Sequence, residues 1–215
     1  MATINELPKT LIRKNKKKRK APETHEDKNE RFRLRKKPVG RTLSKESVST
    51  LLKSAKGMGC DALFDLGAGA GLILENAKRL GYSTVGGIEA EAISESEDIF
   101  TITFAEFDGY FTWLDKLDEG TKTLFYVYEG GIWDPQWCQD AADVINILSK
   151  TGDIICVITH AGTVSVRDSS WDITDWEEAL ILCTRVREMK VYGEMVDGQR
   201  DEQIAYFFQV GSLRF

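Results

Sequence analysis

The feature that most constrains this chain is a run of glycines between a short apolar stretch and a helical pattern. The run reads Phe64-Asp65-Leu66-Gly67-Ala68-Gly69-Ala70-Gly71. Residues 62–66 predict a buried strand, and apolar residues recur at helical spacing from Leu72 to Leu80, ahead of Gly81. Glycines let the backbone turn tightly and approach a ligand, and N–H groups at a helix start favour a carboxylate or phosphate. The run therefore predicts a strand, turn and helix that bind a small ligand.

The spacing of these glycines and two acids indicates the kind of ligand. A dinucleotide site has the pattern GxGxxG, which would need glycine at position 72, where Leu72 stands. Gly67, Gly69 and Gly71 give GxGxG instead, after Asp65. Glu89 ends the predicted second strand, residues 83–88, where an acid can accept ribose hydroxyls. The combination favours S-adenosylmethionine, whose ammonium suits a carboxylate and whose carboxylate suits backbone N–H groups. The alternative is that the glycines serve only tight packing of strand and helix.

The rest of the chain alternates between strand and helix patterns. Further strands are predicted at residues 99–104, 123–128 and 153–159. Helices are predicted after the N-cap candidate Ser44, ending at Gly57 or Gly59, in the early nineties, at 110–117, up to 148 and at 174–184. The segments 188–194 and 203–210 predict a hairpin around Asp197-Gly198. The fold class is therefore α/β, a doubly wound Rossmann-like parallel sheet ending in an antiparallel hairpin. We expect Tyr110, Phe111 and Trp113 in the core, and Trp171 and Trp176 packed on the last helix.

These motifs and this order of elements resemble the class I S-adenosylmethionine-dependent methyltransferases over about residues 41–210. Within them, Gly40-Arg41-Thr42-Leu43-Ser44-Lys45-Glu46-Ser47-Val48 is similar to the segment that leads into the fold of the disruptor-of-telomeric-silencing class of histone lysine methyltransferases. Gly86-Gly87-Ile88-Glu89 and residues 128–135 are similar to that class too. The resemblance implies an enzyme that methylates lysine of a histone or other chromatin-associated protein. The cofactor contacts it implies are Asp65, Gly67, Ala68, Gly69, Gly71, Glu89 and Thr42.

The chain departs from that class at three places. It lacks a substantial helical N-terminal domain, and Arg41 stands where the loop into the fold usually has an acid. Glu129-Gly130-Gly131 stands where asparagine and aromatic residues are common. These departures bear on the substrate more than on the cofactor.

The loop after the fourth predicted strand holds the candidate catalytic residues. It reads Tyr128-Glu129-Gly130-Gly131-Ile132-Trp133-Asp134-Pro135, at the crevice where the transferable methyl group is expected. We predict roles for Tyr128, Glu129 and Trp133, with Tyr128 and Trp133 as walls of a channel for a lysine side chain. Enzymes that methylate amino groups of nucleic acids commonly have [DNS]PP[YFW] here. The stretch from Asp134 to Trp137 lacks the second proline, which weakens the alternative of an RNA or DNA methyltransferase without excluding it.

Composition narrows the chemistry further. His25 and His160 are the two histidines, which argues against a multi-histidine metal centre, and the four cysteines are far apart, so we predict no metal site. We expect His160 to be a loop residue, since a neutral amine needs no histidine base. No apolar run is long enough to span a bilayer, so no membrane association is expected.

Charge divides the chain into two parts. Residues 1–41 hold 15 Lys/Arg and 5 Asp/Glu, while the remainder holds 14 and 29. Residues 1–40 predict a basic, disordered arm, and 41–215 the methyltransferase domain. The arm would bind nucleic acid through residues 13–37, and its basic seven-residue stretch indicates a nuclear location, with the cytoplasm as the alternative. A third hypothesis is a nucleic-acid-associated module that has this fold without catalysis.

Overall fold

A computed structural model describes residues 43–90, 96–128, 135–160, 171–196 and 199–211 of the chain. Within them, seven strands form one sheet in the order β3-β2-β1-β4-β5-β7-β6. The strands are β1 (Cys60–Leu66), β2 (Thr84–Glu89), β3 (Ile99–Thr101), β4 (Lys122–Val127), β5 (Ile154–His160), β6 (Cys183–Val196) and β7 (Gln199–Val210). The first five are parallel, and β7 runs antiparallel to β5 and β6. The predicted parallel sheet with a terminal hairpin is confirmed.

Helices cover both faces of the sheet. They are α1 (Lys45–Gly57), α2 (Leu72–Arg79), α3 (Tyr110–Leu114), α4 (Pro135–Leu148) and α5 (Ile173–Ala179), with a 3-10 turn at Phe104–Glu106. One apolar core joins α1 and α2 to one face, and the other joins α3, α4 and α5 to the opposite face. Successive strand residues point to opposite faces, so each buried strand contributes to both cores. The largely apolar sequences of β1, β4 and β5 follow from this double burial.

The start of α1 is tied to the edge strand β6. Ser44 caps the helix as predicted, since its hydroxyl accepts the Ser47 N–H. The Ser47 hydroxyl in turn accepts the N–H of Tyr192, and Leu43 forms an isolated bridge with Gly193. These contacts place the start of the domain beside β6.

Several predicted boundaries differ from the structure. The strand predicted at 99–104 ends at Thr101, and the helix predicted at 110–117 ends at Leu114. The helix predicted at 174–184 ends at Ala179, because Leu180 is extended and Leu182 has a φ of 60°. Asn146 fixes this turn by donating to the Ala179 carbonyl and accepting the Ile181 N–H.

One predicted core residue is on the surface. Phe111 is 79% exposed, whereas Trp113 is fully buried. Trp113 packs against Phe64, with 4.7 Å between ring centroids. A helix of five residues packs only one side on the core, and since Trp113 occupies that side, Phe111 faces solvent. Trp171 and Trp176 pack edge to face at 5.8 Å, and Trp176 is fully buried, as predicted.

Some predictions fall outside the described residues. These are the basic arm, the helix in the early nineties and the tip of the hairpin at Asp197-Gly198. Among the helices that are described, none has the length and apolarity needed to cross a membrane.

Candidate functional site

The glycine turn lies at the carboxyl edge of the sheet, between β1 and α2. Strand β1 is paired with β2 on one side and with β4 on the other, and Asp65 is in register with Gly87 and Tyr126. Because β1, β2 and β4 are parallel, their carboxyl ends meet at this edge. Asp65, the turn, Glu89 and Tyr128 are thereby brought to the same side of the domain.

Hydrogen bonds within the protein hold the turn in place. The N–H groups of Gly67 and Ala68 both donate to the Ile88 carbonyl, at 3.0 and 2.9 Å, and that of Gly71 donates to the Ala68 carbonyl at 2.8 Å. The N–H of Gly69 donates to Oε2 of Glu89 at 2.8 Å. We expected N–H groups of the turn to receive a ligand carboxylate, but these four are already used within the protein. The turn instead fixes where the two acids lie.

Two positions at the turn favour glycine, one because of close packing and one because of its backbone conformation. A Cβ at Gly87 would lie 2.8 Å from the Ala68 Cβ and from the Asp65 carbonyl oxygen. Gly67 has a φ of +93°, which side-chain-bearing residues rarely adopt, and a Cβ there would be 3.4 Å from the Trp137 indole. Gly69, in contrast, has no atom within 4 Å of its Cβ position, so the turn is open at this point.

Asp65 is a poorly compensated group at this edge. The residue is 2% exposed, and no hydrogen bond or cation among the described residues lowers the pKa of its carboxyl group. Burial, with a smaller contribution from the charge of Glu89, raises the pKa of Asp65 to about 8. A buried carboxylate without a partner is costly, and a cationic ligand group would relieve that cost. The Asp65 carboxyl group therefore suits an ammonium bound next to the turn.

Glu89 ends β2 on the other side of the turn and is half-buried. One of its oxygens, Oε2, holds the Gly69 N–H. A carboxylate can accept several hydrogen bonds, so Glu89 can anchor the turn and accept ligand hydroxyls as well.

No group of three His, Cys, Asp or Glu side chains within the described ranges could hold a metal ion.

The predicted catalytic residues are only partly within the described structure. Tyr128 directly follows β4, and its phenol oxygen accepts a hydrogen bond from Nε2 of Gln203 at 3.2 Å. Glu129 and Trp133, together with Thr42, which was predicted to contact the cofactor, lie outside the described residues. His160 is the last residue of β5 and not part of a loop.

Two residues of this edge were not predicted. Trp137, in the first turn of α4, packs on Phe104 with 5.1 Å between ring centroids and borders Gly67. Gln203 is fully buried in β7, opposite His160. The sequence could have indicated Trp137, because it stands two positions after Pro135, the residue that begins α4. Nothing in the sequence around Gln203 distinguishes it from an exposed strand residue.

Comparisons with known proteins bear on the fold. No protein-family model matches the sequence, and no curated protein matches it. Among solved structures, the N-methyltransferase NodS from Bradyrhizobium japonicum in complex with S-adenosyl-L-homocysteine has a TM-score of 0.56 at 14% identity, covering 84% of this chain and 92% of that one.

Two further solved structures have similar scores. An S-adenosylmethionine-dependent methyltransferase from Clostridium acetobutylicum has a TM-score of 0.51 at 10% identity, covering 86% of this chain and 99% of that one. A proposed RNA methyltransferase from Pyrococcus horikoshii has a TM-score of 0.51 at 16% identity, covering 78% and 85%. The chain therefore has the class I methyltransferase fold.

Proposed function

We propose that this chain is an S-adenosylmethionine-dependent methyltransferase. The observation that carries the proposal is Asp65, a buried acid whose pKa no described group lowers, next to a turn that Glu89 closes from the other side. Support comes from the fold, since the structures that share it include methyltransferases, one of them in complex with S-adenosyl-L-homocysteine.

The cofactor would be held by one acid on each side of the turn. Asp65 would take the ammonium, and Glu89 would accept ribose hydroxyls while Oε2 keeps the turn in place. Gly69, open above its Cβ position, lets the ligand approach the backbone. Gly67, Ala68 and Gly71 shape the turn, and Thr42 is a further predicted contact.

The bound cofactor supplies a methyl group on a positively charged sulfur, which keeps the C–S electron pair as the lone pair of the acceptor forms the new bond to carbon. An acceptor amine reacts as the neutral base, so a lysine ammonium first loses its proton to solvent, and the methylated nitrogen then carries the positive charge. The protein has to align donor and acceptor and exclude water, which can supply much of the acceleration. Tyr128, which follows β4, and Trp137, which lies beside Gly67, would line that path.

The acceptor proposed first is lysine in a histone or other chromatin-associated protein. The proposal rests on the similarity of residues 40–48, 86–89 and 128–135 to that class of methyltransferases. Tyr128 and Trp133 would form the channel, with Glu129 beside them. The basic residues 13–37 would hold the enzyme on nucleic acid in the nucleus.

A second candidate is an RNA or DNA methyltransferase, and Trp137 is the observation that favours it. Its indole lies at the carboxyl edge, against the turn and Phe104. An indole next to the transferable methyl group could stack on a base, as aromatic side chains do in enzymes that act on bases.

Calorimetric titration with S-adenosyl-L-homocysteine tests cofactor binding. The wild type should bind, and Asp65→Ala should weaken the affinity about 30- to 100-fold, since a charge-assisted contact is lost. Asp61→Ala is the matched control, because Asp61 is on the same strand but 59% exposed and paired with Lys56. It should bind as the wild type does. Absence of binding by the wild type would contradict the proposal.

Transfer of a radiolabelled methyl group to nucleosomes, free histones, RNA and DNA then separates the acceptors. Labelling of histone lysine supports the first candidate, and labelling of nucleic acid supports the second. Cofactor binding without transfer to any component of a cell extract would indicate a non-catalytic module and contradict the proposed activity.

A further inference from the structure

The phenol of Tyr126 is a buried hydroxyl that the fold does not use. Tyr126 lies in β4 and is 1% exposed, and its phenol oxygen has no hydrogen-bond partner in the described part of the chain. Tyr82, in the same apolar core, shows the usual arrangement, because its phenol donates to the Leu52 carbonyl at 2.8 Å. Burial of a hydroxyl without a partner is costly. At Tyr126 the fold therefore bears the cost of a donor that has no acceptor.

Tyr126 lies beside Asp65 in the sheet. The two residues are in register on the neighbouring parallel strands β4 and β1. Their backbones are therefore about one strand spacing, 4.8 Å, apart, and both side chains point to the same face. This is the face that α1 covers, since Tyr126 and Leu63, two positions before Asp65, belong to the core under that helix. On the other side of Asp65, β2 contributes Gly87, which has no side chain.

Both groups carry a proton in the free protein at neutral pH. Burial raises the pKa of Tyr126 well above its ordinary value, and the charge of Asp65 adds to this effect. Cys156 and Tyr128 act in the same direction. Burial also raises the pKa of Asp65 to about 8, with a smaller contribution from Glu89. A neutral phenol thus stands beside a neutral carboxyl group, which is a weaker acceptor than a carboxylate.

An ammonium bound at Asp65 would change this pair. The ammonium favours the ionised carboxyl group, which then accepts hydrogen bonds only and has two oxygens to do so. Hydrogen bonds to an ionised acceptor are the stronger ones. The phenol on the neighbouring strand is the donor that such a carboxylate would meet after a rotation of the Asp65 side chain.

We propose that Tyr126 is a positioning residue of the cofactor site, whose phenol donates to the Asp65 carboxylate once a ligand ammonium is bound there. The inference rests on the proposed function. Tyr126 does not have to touch the ligand, because it acts by stabilising the ionised form of Asp65 and fixing its orientation. The affinity for the amino-acid end of the cofactor then depends on a side chain that belongs to the apolar core.

A pair of ligands tests the inference without knowledge of the methyl acceptor. S-Adenosyl-L-homocysteine carries the amino-acid end, whereas 5′-methylthioadenosine has the same nucleoside and sulfur without it. In calorimetric titrations, Tyr126→Phe should weaken the binding of S-adenosyl-L-homocysteine about 10-fold, since a hydrogen bond to a charged group is lost. The affinity for 5′-methylthioadenosine should change less than 2-fold.

A double variant tests whether Tyr126 acts through Asp65. Asp65→Ala removes the carboxylate, so Asp65→Ala/Tyr126→Phe should bind S-adenosyl-L-homocysteine as Asp65→Ala does, within 2-fold. This comparison decides the inference even where 5′-methylthioadenosine binds too weakly to measure.

Tyr82→Phe is the matched control. It removes a buried phenol that has a carbonyl partner, so it should lower the melting temperature and leave the ratio of the two affinities unchanged. Tyr126→Phe should instead raise the melting temperature of the free protein, because the hydroxyl that it removes has no described partner.

Each outcome decides one question. An unchanged affinity for S-adenosyl-L-homocysteine in Tyr126→Phe overturns the inference while the proposed function stands. Equal weakening of both ligands, a further loss in the Asp65→Ala background or a lower melting temperature of Tyr126→Phe also overturns it, since the phenol would then contribute to packing or stability. A wild type that binds neither ligand contradicts the proposed function and this inference with it.

Discussion

Two aspartates are almost completely buried at opposite ends of the same sheet, and their surroundings differ. Asp153, before β5, is 1% exposed, and its two oxygens accept the N–H groups of Thr123 at 2.8 Å and Lys150 at 2.9 Å. Asp65, near the end of β1, is 2% exposed, and no hydrogen bond or cation in the described ranges lowers the pKa of its carboxyl group. Burial raises the pKa of both, but the two backbone N–H groups counteract it at Asp153.

The difference separates a structural acid from a ligand-binding one. Asp153 ties the loop before β5 to the start of β4, so its burial is compensated by contacts of the fold itself. Asp65 is buried at a cost that no described contact of the fold offsets. Unfavourable burial of this kind is typical of binding sites, where the ligand supplies the missing partner.

Replacement of each aspartate by asparagine should have opposite effects on stability. Asp65→Asn should raise the free energy of unfolding at pH 7 by about 3 kcal/mol, because no proton has to be taken up on burial. Asp153→Asn should lower it by about 2 kcal/mol, since the amide nitrogen cannot accept one of the two N–H groups. Urea denaturation measures both. A loss of stability in Asp65→Asn would contradict the distinction.

A substitution that disturbs the packing of the turn on β2 should have the next largest effect on stability. Gly87→Ala should lower the free energy of unfolding by about 2 kcal/mol and weaken cofactor binding, because its Cβ would lie 2.8 Å from Ala68 and from the Asp65 backbone. Gly57→Ala, with no atom within 4 Å of its Cβ position, is the control and should be nearly neutral. Equal stability of the two variants would show that the turn is not packed on β2.

The pH dependence of stability should report Asp65. Its pKa in the folded protein, about 8, lies above the usual value of 3.8. The folded state therefore holds more protons between these values, and stability falls as pH rises from about 4 to 8, by roughly 1 kcal/mol per pH unit. Asp153 contributes with the same sign, since its pKa is also raised. Denaturation at pH 5, 6, 7 and 8 should show a smaller slope in Asp65→Asn.

Alanine substitutions at two glycines with positive φ should have the smallest effect on stability. Gly69 and Gly81 have φ of +52° and +80°, and neither has an atom within 4 Å of its Cβ position. Alanine at either should cost about 1 kcal/mol of stability. Only Gly69→Ala should lower the affinity for S-adenosyl-L-homocysteine, by about 10-fold, because its Cβ would meet the ligand. Equal affinities in the two variants would move the ligand away from the turn.

The sequence allowed the glycine turn, the succession of strands and helices and the two flanking acids to be predicted, because each follows from local patterns. Glycine spacing, the apolar stretch before it and Glu89 at the end of a strand are close together in the chain. Alternation of strands and helices was sufficient for the parallel sheet, and the loss of alternation near the end for the hairpin.

What could not be predicted depends on contacts between distant segments. The exposure of Phe111 follows from the side of α3 that Trp113 occupies, and the end of α5 from Asn146 of another helix. The bond from Gln203 to Tyr128 spans three strands. The use of Glu89 by the Gly69 N–H depends on how closely β2 approaches the turn.

Counting protons on ligand binding tests the central claim most directly, that Asp65 is uncharged in the free protein and ionised by the ammonium of the cofactor. Titration with S-adenosyl-L-homocysteine at pH 7, in two buffers of different ionisation enthalpy, should show release of about one proton by the wild type. Asp65→Asn should release none. Binding without proton release by the wild type, or equal release by the variant, would contradict the account.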